Sequence, residues 1–161
     1  MRACPFPPRP QPVTKKLVWV SFADSSECTP DSIISGFRYG QEIAIACEKS
    51  GKLYAMSNKM PPTSQPATFG ELTQKGSIIE PISGTEFSLK TGKPVGKWCP
   101  APLGQLLIKR LIPPQEMLMF PVRRQGSAVQ VLIDINAKAA FEANYWRGIL
   151  DAQGKVDGGY Y

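Results

Sequence analysis

The side chains in this chain with chemistry to offer are few: the thiols Cys4, Cys28, Cys47 and Cys99, and the carboxylates Glu80 and Glu86. There is no histidine at all. That removes the Ser-His-Asp and Cys-His arrangements and every zinc site that relies on imidazole. It also removes the one side chain whose unperturbed pKa lies near neutrality. Two carboxylates can share acid–base work, but Glu86 falls in a strand-like stretch, EFSL, and reads as a solvated side chain. No two cysteines form a C-x-x-C pair, so neither a zinc ribbon nor a disulfide framework is indicated. Cys47 sits in the apolar run EIAIACE and reads as a small core residue. Cys99, in WCPAP, has only Lys97 as a nearby charge and reads as structural. The expectation is a protein with no catalytic residues and no metal of its own.

The elements that hold these residues read as short strands joined by Gly and Pro turns. Strands are expected over residues 17–22, 37–39, 42–47, 53–56, 78–79, 87–89, 106–112, 118–123 and 128–134. A short helical piece is expected over 31–35. This is the signature of an all-β antiparallel sandwich or barrel. At 161 residues, 42% hydrophobic and 20% charged, the chain has the composition of one globular domain with extensions. No run approaches the 18 or so apolar residues of a spanning helix, and the first residues lack the apolar core of a signal peptide. Three segments are expected: a Pro-rich basic arm over 1–16, a β domain over 17–134, and a C-terminal helix with a Gly/Tyr tail over 135–161. In the last, Phe141, Tyr145 and Ile149 recur every four residues, with Trp146 and Leu150 beside them. Asp134 or Asn136 is the expected N-cap.

Within the β domain two stretches stand out. SGKLYAMSNKMPP has a Gly-led strand and a turn ending in two prolines. IIEPISGTEFSLKTGKPVG has Glu-Pro-x-x-Gly, then Phe, then Thr-Gly. Together they resemble the first and second boxes of the Rieske iron–sulfur family. Gly51, Tyr54, Pro61, Pro81, Gly84, Phe87, Thr91 and Gly92 stand at scaffold positions. The resemblance extends from about residue 17 to 131. It implies a small Rieske-like β fold and assigns the four ligand positions to Met60, Pro62, Glu80 and Ser83. None of these is a Cys or His, so the resemblance implies a domain without its cluster and without any other cofactor. The prolines of the two loops and the side chain of Met60 are the expected substitutes for the cluster's bracing.

The net charge of +6 is unevenly placed. Arg2, Arg9, Lys15 and Lys16 meet no acid in residues 1–16. In residues 90–124, Lys90, Lys93, Lys97, Lys109, Arg110, Arg123 and Arg124 face Glu116 alone. Such a face suits an acidic protein or an anionic lipid surface. Nucleic acid fits less well, because the cations are not interleaved with aromatics. Arg9, Lys109, Arg110, Tyr145, Trp146, Tyr160 and Tyr161 are the expected partner-binding residues. The tail resembles those of mature algal plastid proteins. It implies a peripheral, non-spanning subunit of a photosystem–antenna supercomplex on the thylakoid membrane of the chloroplast. The alternative is a cluster-free small subunit supporting a reductase such as nitrite reductase, in the cytoplasm or plastid.

Overall fold

Strand β3 (Gln41–Cys47) is buried from Ile43 to Cys47 on both of its faces, and the rest of the molecule is arranged about it. Successive side chains of a strand point to opposite faces. Ile43, Ile45 and Cys47 therefore enter one core, with Phe22, Cys28, Ala55, Val129, Val131 and Ile133. Ala44 and Ala46 enter the other, with Met56, Met60, Ile78, Phe87, Leu89, Trp98 and Met117. Small residues on one face and large ones on the other let bulky neighbours approach from the second side. The computed structural model describes residues 12–102 and 109–143.

β3 lies between β2 (Ser32–Arg38) and β4 (Leu53–Ser57), and β11 (Met119–Phe120) closes the far side of β4. Above one face lies a three-stranded sheet. In it β13 (Ala128–Asp134) is central, between β1 (Leu17–Asp24) and β12 (Val122–Gln125). The strict alternation of buried Val129, Val131 and Ile133 in β13 seats this sheet on the core. Toward the other face lie β7 (Glu71–Leu72), β8 (Ser77–Ile79), β9 (Glu86–Ser88) and β10 (Pro94–Val95), paired in the order β10-β9-β8-β7. A two-stranded ribbon, β5 (Lys59–Met60) with β6 (Gln65–Pro66), completes the strands. All pairings are antiparallel, and the fold is the all-β architecture expected. Phe87 and Trp98 meet edge to face at 6.3 Å, and the Trp98 indole N–H donates to the Ile112 carbonyl at 3.1 Å.

Some local expectations are corrected. Residues 32–35 are not helical; they begin β2, because Ile33 and Ile34 alternate between the two cores. Residues 109–112 form a turn and not the end of a strand, while 103–108 lie outside the described residues. The strand expected over 118–123 is two pieces, since Pro121 lacks the N–H to continue the ladder and the chain changes sheet there. Residues 137–143 are helical. Asn136 precedes them and its carbonyl accepts the Ala140 N–H at 2.9 Å. Its side-chain Nδ2 donates to the Thr14 carbonyl at 2.9 Å. Asp134 accepts the backbone N–H groups of both Asn136 and Lys16.

Candidate functional site: two loops and a buried carboxylate

The two box loops lie side by side. The first is the tip of the β5–β6 ribbon, residues 61–64. The second joins β8 to β9, residues 80–85. In the second loop the N–H of Glu80 donates to the Thr85 carbonyl, and the N–H of Gly84 donates back to the Glu80 carbonyl, both at 2.9 Å. Gly84 has φ of 70°, a left-handed conformation that a Cβ would strain. The backbone thus turns tightly, and the Glu80 side chain folds inward under it.

Glu80 has 0% exposure, as do Ser83 and Thr85. A buried carboxylate is costly unless its lone pairs are met by donors. Here they are met. One oxygen, Oε1, accepts the Thr63 hydroxyl at 2.6 Å and the Ile82 N–H at 3.2 Å. The other, Oε2, accepts both the N–H and the hydroxyl of Ser83 at 2.5 Å. The network continues inward. The Ser83 and Thr85 hydroxyl oxygens lie 2.9 Å apart, and the Thr85 hydroxyl accepts the Cys99 N–H at 3.0 Å. The Ala101 N–H donates to the Ser83 carbonyl at 3.0 Å, which ties in the following segment. Thr63 belongs to the first loop and Glu80 to the second, so one carboxylate fastens them together. Its hydrogen bonds are charge-assisted, the stronger kind.

The expected ligand positions separate. Met60 is fully buried in the core with Phe87, Leu89 and Trp98. Pro81 and Ile82 are exposed at the loop tip. Pro62 has no donor atom to offer. Both oxygens of Glu80 and the hydroxyl of Ser83 are occupied by one another and by Thr63. A Rieske [2Fe–2S] centre requires two thiolates and two imidazoles. The chain has no imidazole, Cys28 and Cys47 lie in the opposite core, and among the described residues Cys99 is the one cysteine near. The residues present do not fit that group. Among the described residues, no cluster of three or more His, Cys, Asp or Glu could hold a metal.

Glu80 and Glu86 belong to different hydrogen-bond networks. Glu86 accepts the Ser77 hydroxyl, which lies 2.5 Å from that of Thr73, on a separate network. Lys109 and Arg110 are exposed in the turn that Trp98 holds through Ile112, and Leu111 beside them is 80% exposed. Lys97, also exposed, precedes Trp98 in the chain. Arg9, Tyr145, Trp146, Tyr160 and Tyr161 lie outside the described residues. The functional residues that the sequence pattern misses are Thr63 and Thr85. Both fall under the general expectation that loop hydroxyls face water.

Residues 18–132 match the family model described as Rieske-like [2Fe–2S] domain. No curated protein matches the chain in sequence. Among solved structures, the fold is similar to the ferredoxin of carbazole 1,9a-dioxygenase from Nocardioides aromaticivorans IC177. The TM-score is 0.55 at 18% identity, over 70% of this chain and 95% of that one. It is similar to a "putative NADH-dependent nitrite reductase small subunit" from Mycobacterium tuberculosis, with TM-score 0.55 at 18% identity over 73% and 96% of the two chains. It is also similar to the terminal oxygenase of carbazole 1,9a-dioxygenase from Novosphingobium sp. KA1, with TM-score 0.58 at 18% identity, over 72% of this chain and 30% of that one.

Proposed function

This chain is a member of the Rieske-like [2Fe–2S] domain family, and from that premise we propose that it acts as a non-redox structural subunit of a larger assembly. It catalyses nothing itself and carries no cluster. The observation that supports this reading is Glu80. At a position where the family pattern has a metal ligand, the carboxylate is consumed by four hydrogen bonds that brace the fold. A side chain so engaged serves the scaffold and has no lone pair directed at a substrate. What is left on the surface is docking chemistry: Lys97, Lys109 and Arg110 with exposed Leu111, and exposed Ile82 at the loop tip.

Two assemblies fit. The resemblance of the tail to plastid proteins favours a peripheral place on a photosystem–antenna supercomplex. The similarity to a nitrite reductase small subunit favours a reductase. Purifying the native complex and identifying the chains that accompany this one separates the two. Pigment-binding membrane proteins support the first, and a siroheme reductase supports the second. Recovery of the protein with no companion chain, at low salt as well as moderate salt, would overturn the subunit reading. Charge supplies attraction and orientation that salt weakens, while aromatic anchors carry more of the binding energy. Deleting residues 1–12 or 145–161 should therefore release the protein more fully than neutralising Lys109 and Arg110. Co-sedimentation with the complex measures this.

A further inference from the structure

β2 is the outer strand of its sheet, and among the described residues no strand pairs with its outer edge. Tyr39 and Gly40, both at positive φ, form a two-residue hairpin turn, with Arg38 opposite Gln41. In such a hairpin Arg38 and Gln41 exchange both backbone hydrogen bonds, and so do Gly36 with Ile43 and Ile34 with Ile45. The Asn58 N–H donates to the Glu42 carbonyl at 3.0 Å, so the backbone of Glu42 faces β4 and that of its partner Phe37 faces away. By the same alternation the N–H groups of Ile33, Ser35 and Phe37, and the carbonyls of Ile33 and Ser35, point out of the sheet. No backbone group among the described residues pairs with them. The edge of β1 is guarded, since the Arg38 guanidinium donates to the Ser21 and Phe22 carbonyls. The edge of β2 has no proline, and its one cation, Arg38, covers only the Phe37 carbonyl there while reaching back to β1. These are the usual defences against strand pairing.

Ile33, Ser35 and Phe37 share one face. Phe37 is 61% exposed there. Ile33 lines a groove of about 560 Å³ with Thr68, Glu71 and Leu72. Both ends of the strand carry charges of both signs. Glu71 and Asp31, the latter paired with Lys49, stand at the Ile33 end. Arg38 and Lys138, the latter packed on Gly40 and paired with Glu142, stand at the Phe37 end, with Glu42 opposite Phe37.

We propose that a second copy of this chain pairs with the first along β2, antiparallel, about a two-fold axis at Ser35. This goes beyond the docking reading and holds whether or not that reading does. In this register Ser35 meets its own counterpart, and each Phe37 lies opposite Ile33 of the other copy. The outward N–H groups of Ser35 and Phe37 then meet the outward carbonyls of Ser35 and Ile33 in the other copy, giving roughly four backbone hydrogen bonds, while the Phe37 carbonyl opposite the Ile33 N–H also accepts the Arg38 guanidinium. A two-fold axis normal to the sheet keeps the faces matched. Each Phe37 ring is thus delivered to the groove beside the other copy's Ile33 and Leu72. The interface is self-complementary, as a two-fold contact must be. The chain's own residues 1–11 are a poor occupant, because Pro5, Pro7, Pro8 and Pro10 lack the N–H a ladder needs.

Sedimentation velocity of the full chain, from low to several hundred micromolar, tests this. Wild type should pass from monomer to dimer with concentration. Ser35→Pro removes only an outward N–H and leaves the ladder to β3 intact. It should weaken the dimer about tenfold or more, as should Phe37→Glu, which places a charge beside Glu71 of the other copy. Circular dichroism confirms that each variant is folded, and Phe37→Glu carries the test if Ser35→Pro is not. Wild type that stays monomeric throughout, or folded variants that dimerise like wild type, overturns the proposal.

Discussion

The hydroxyl of Thr63 donates to the carboxylate of Glu80 at 2.6 Å, and this bond joins a loop of one sheet ribbon to a loop of another, 17 residues away in sequence. The sequence alone points to prolines and Met60 as the brace between the loops. Met60 instead serves the core, and the brace is polar.

Replacing Glu80 by Ala removes the acceptor of the Thr63 hydroxyl and of the Ile82 and Ser83 N–H groups, and leaves the buried Ser83 hydroxyl with Thr85 alone. We expect a loss of about 3–5 kcal/mol. For a chain of this size that lowers the melting temperature by on the order of 10 °C. Thr63→Val breaks one bond and should cost about 1–2 kcal/mol. Thermal melts of both variants decide the matter, and a Glu80→Ala variant that melts with wild type would remove Glu80 from the account.

Purified protein should contain no stoichiometric iron. Incubation with iron and sulfide should fail to generate the visible and electron-spin spectra of a Rieske centre, because neither carboxylate nor thioether suits it. Appearance of those spectra would mean that the donor set has been misjudged.

Gly92→Ala should destabilise by about 2–4 kcal/mol. Gly92 has φ of 73°, and a Cβ there would lie 2.3 Å from the Met117 carbonyl oxygen. Gly51 has φ of 82° but nothing within 4 Å of its Cβ position. Gly51→Ala should therefore cost only about 1 kcal/mol. Chemical denaturation of the two variants compares the clash with the conformational strain alone.

Burial raises the pKa of the Cys28 thiol; Cys47 and Glu27 add to this, and Arg124 opposes it. The thiol form is the one the fold favours. Its contribution is fully present below the unfolded pKa of about 8.5 and is lost as pH rises through the higher folded value. Iodoacetamide should therefore modify Cys28 slowly near neutral pH and faster as the solution is made alkaline. Peptide mapping of the alkylated native protein across pH measures this.

The sheets are legible in the sequence wherever one face is buried and the other is not. The alternation of β13 and the apolar run of β3 can be read directly, as can the turns at Gly84 and Gly92. The piece over 32–35 cannot, because Ile-Ile flanked by serines has no period of its own; contact with two cores decides it. The central site is half legible. Glu80 stands out as a former ligand position, but its role depends on Thr63 in another loop. Nothing in the local sequence distinguishes a hydroxyl that faces water from one that meets a carboxylate.

Among the described residues the first strand of the domain has only the last as its neighbour: Leu17 stands opposite Asp134, and β1 pairs with β13 alone. The β12–β13 hairpin is local, but no local hairpin can add β1 to it and close this sheet. Its loop-closure entropy must be met over nearly the whole domain before Trp19 and Phe22 find their places. During synthesis β1 therefore emerges long before its partner. Until Asp134 follows, the chain must keep an apolar strand from pairing elsewhere, and the closing of this sheet belongs to the end of folding.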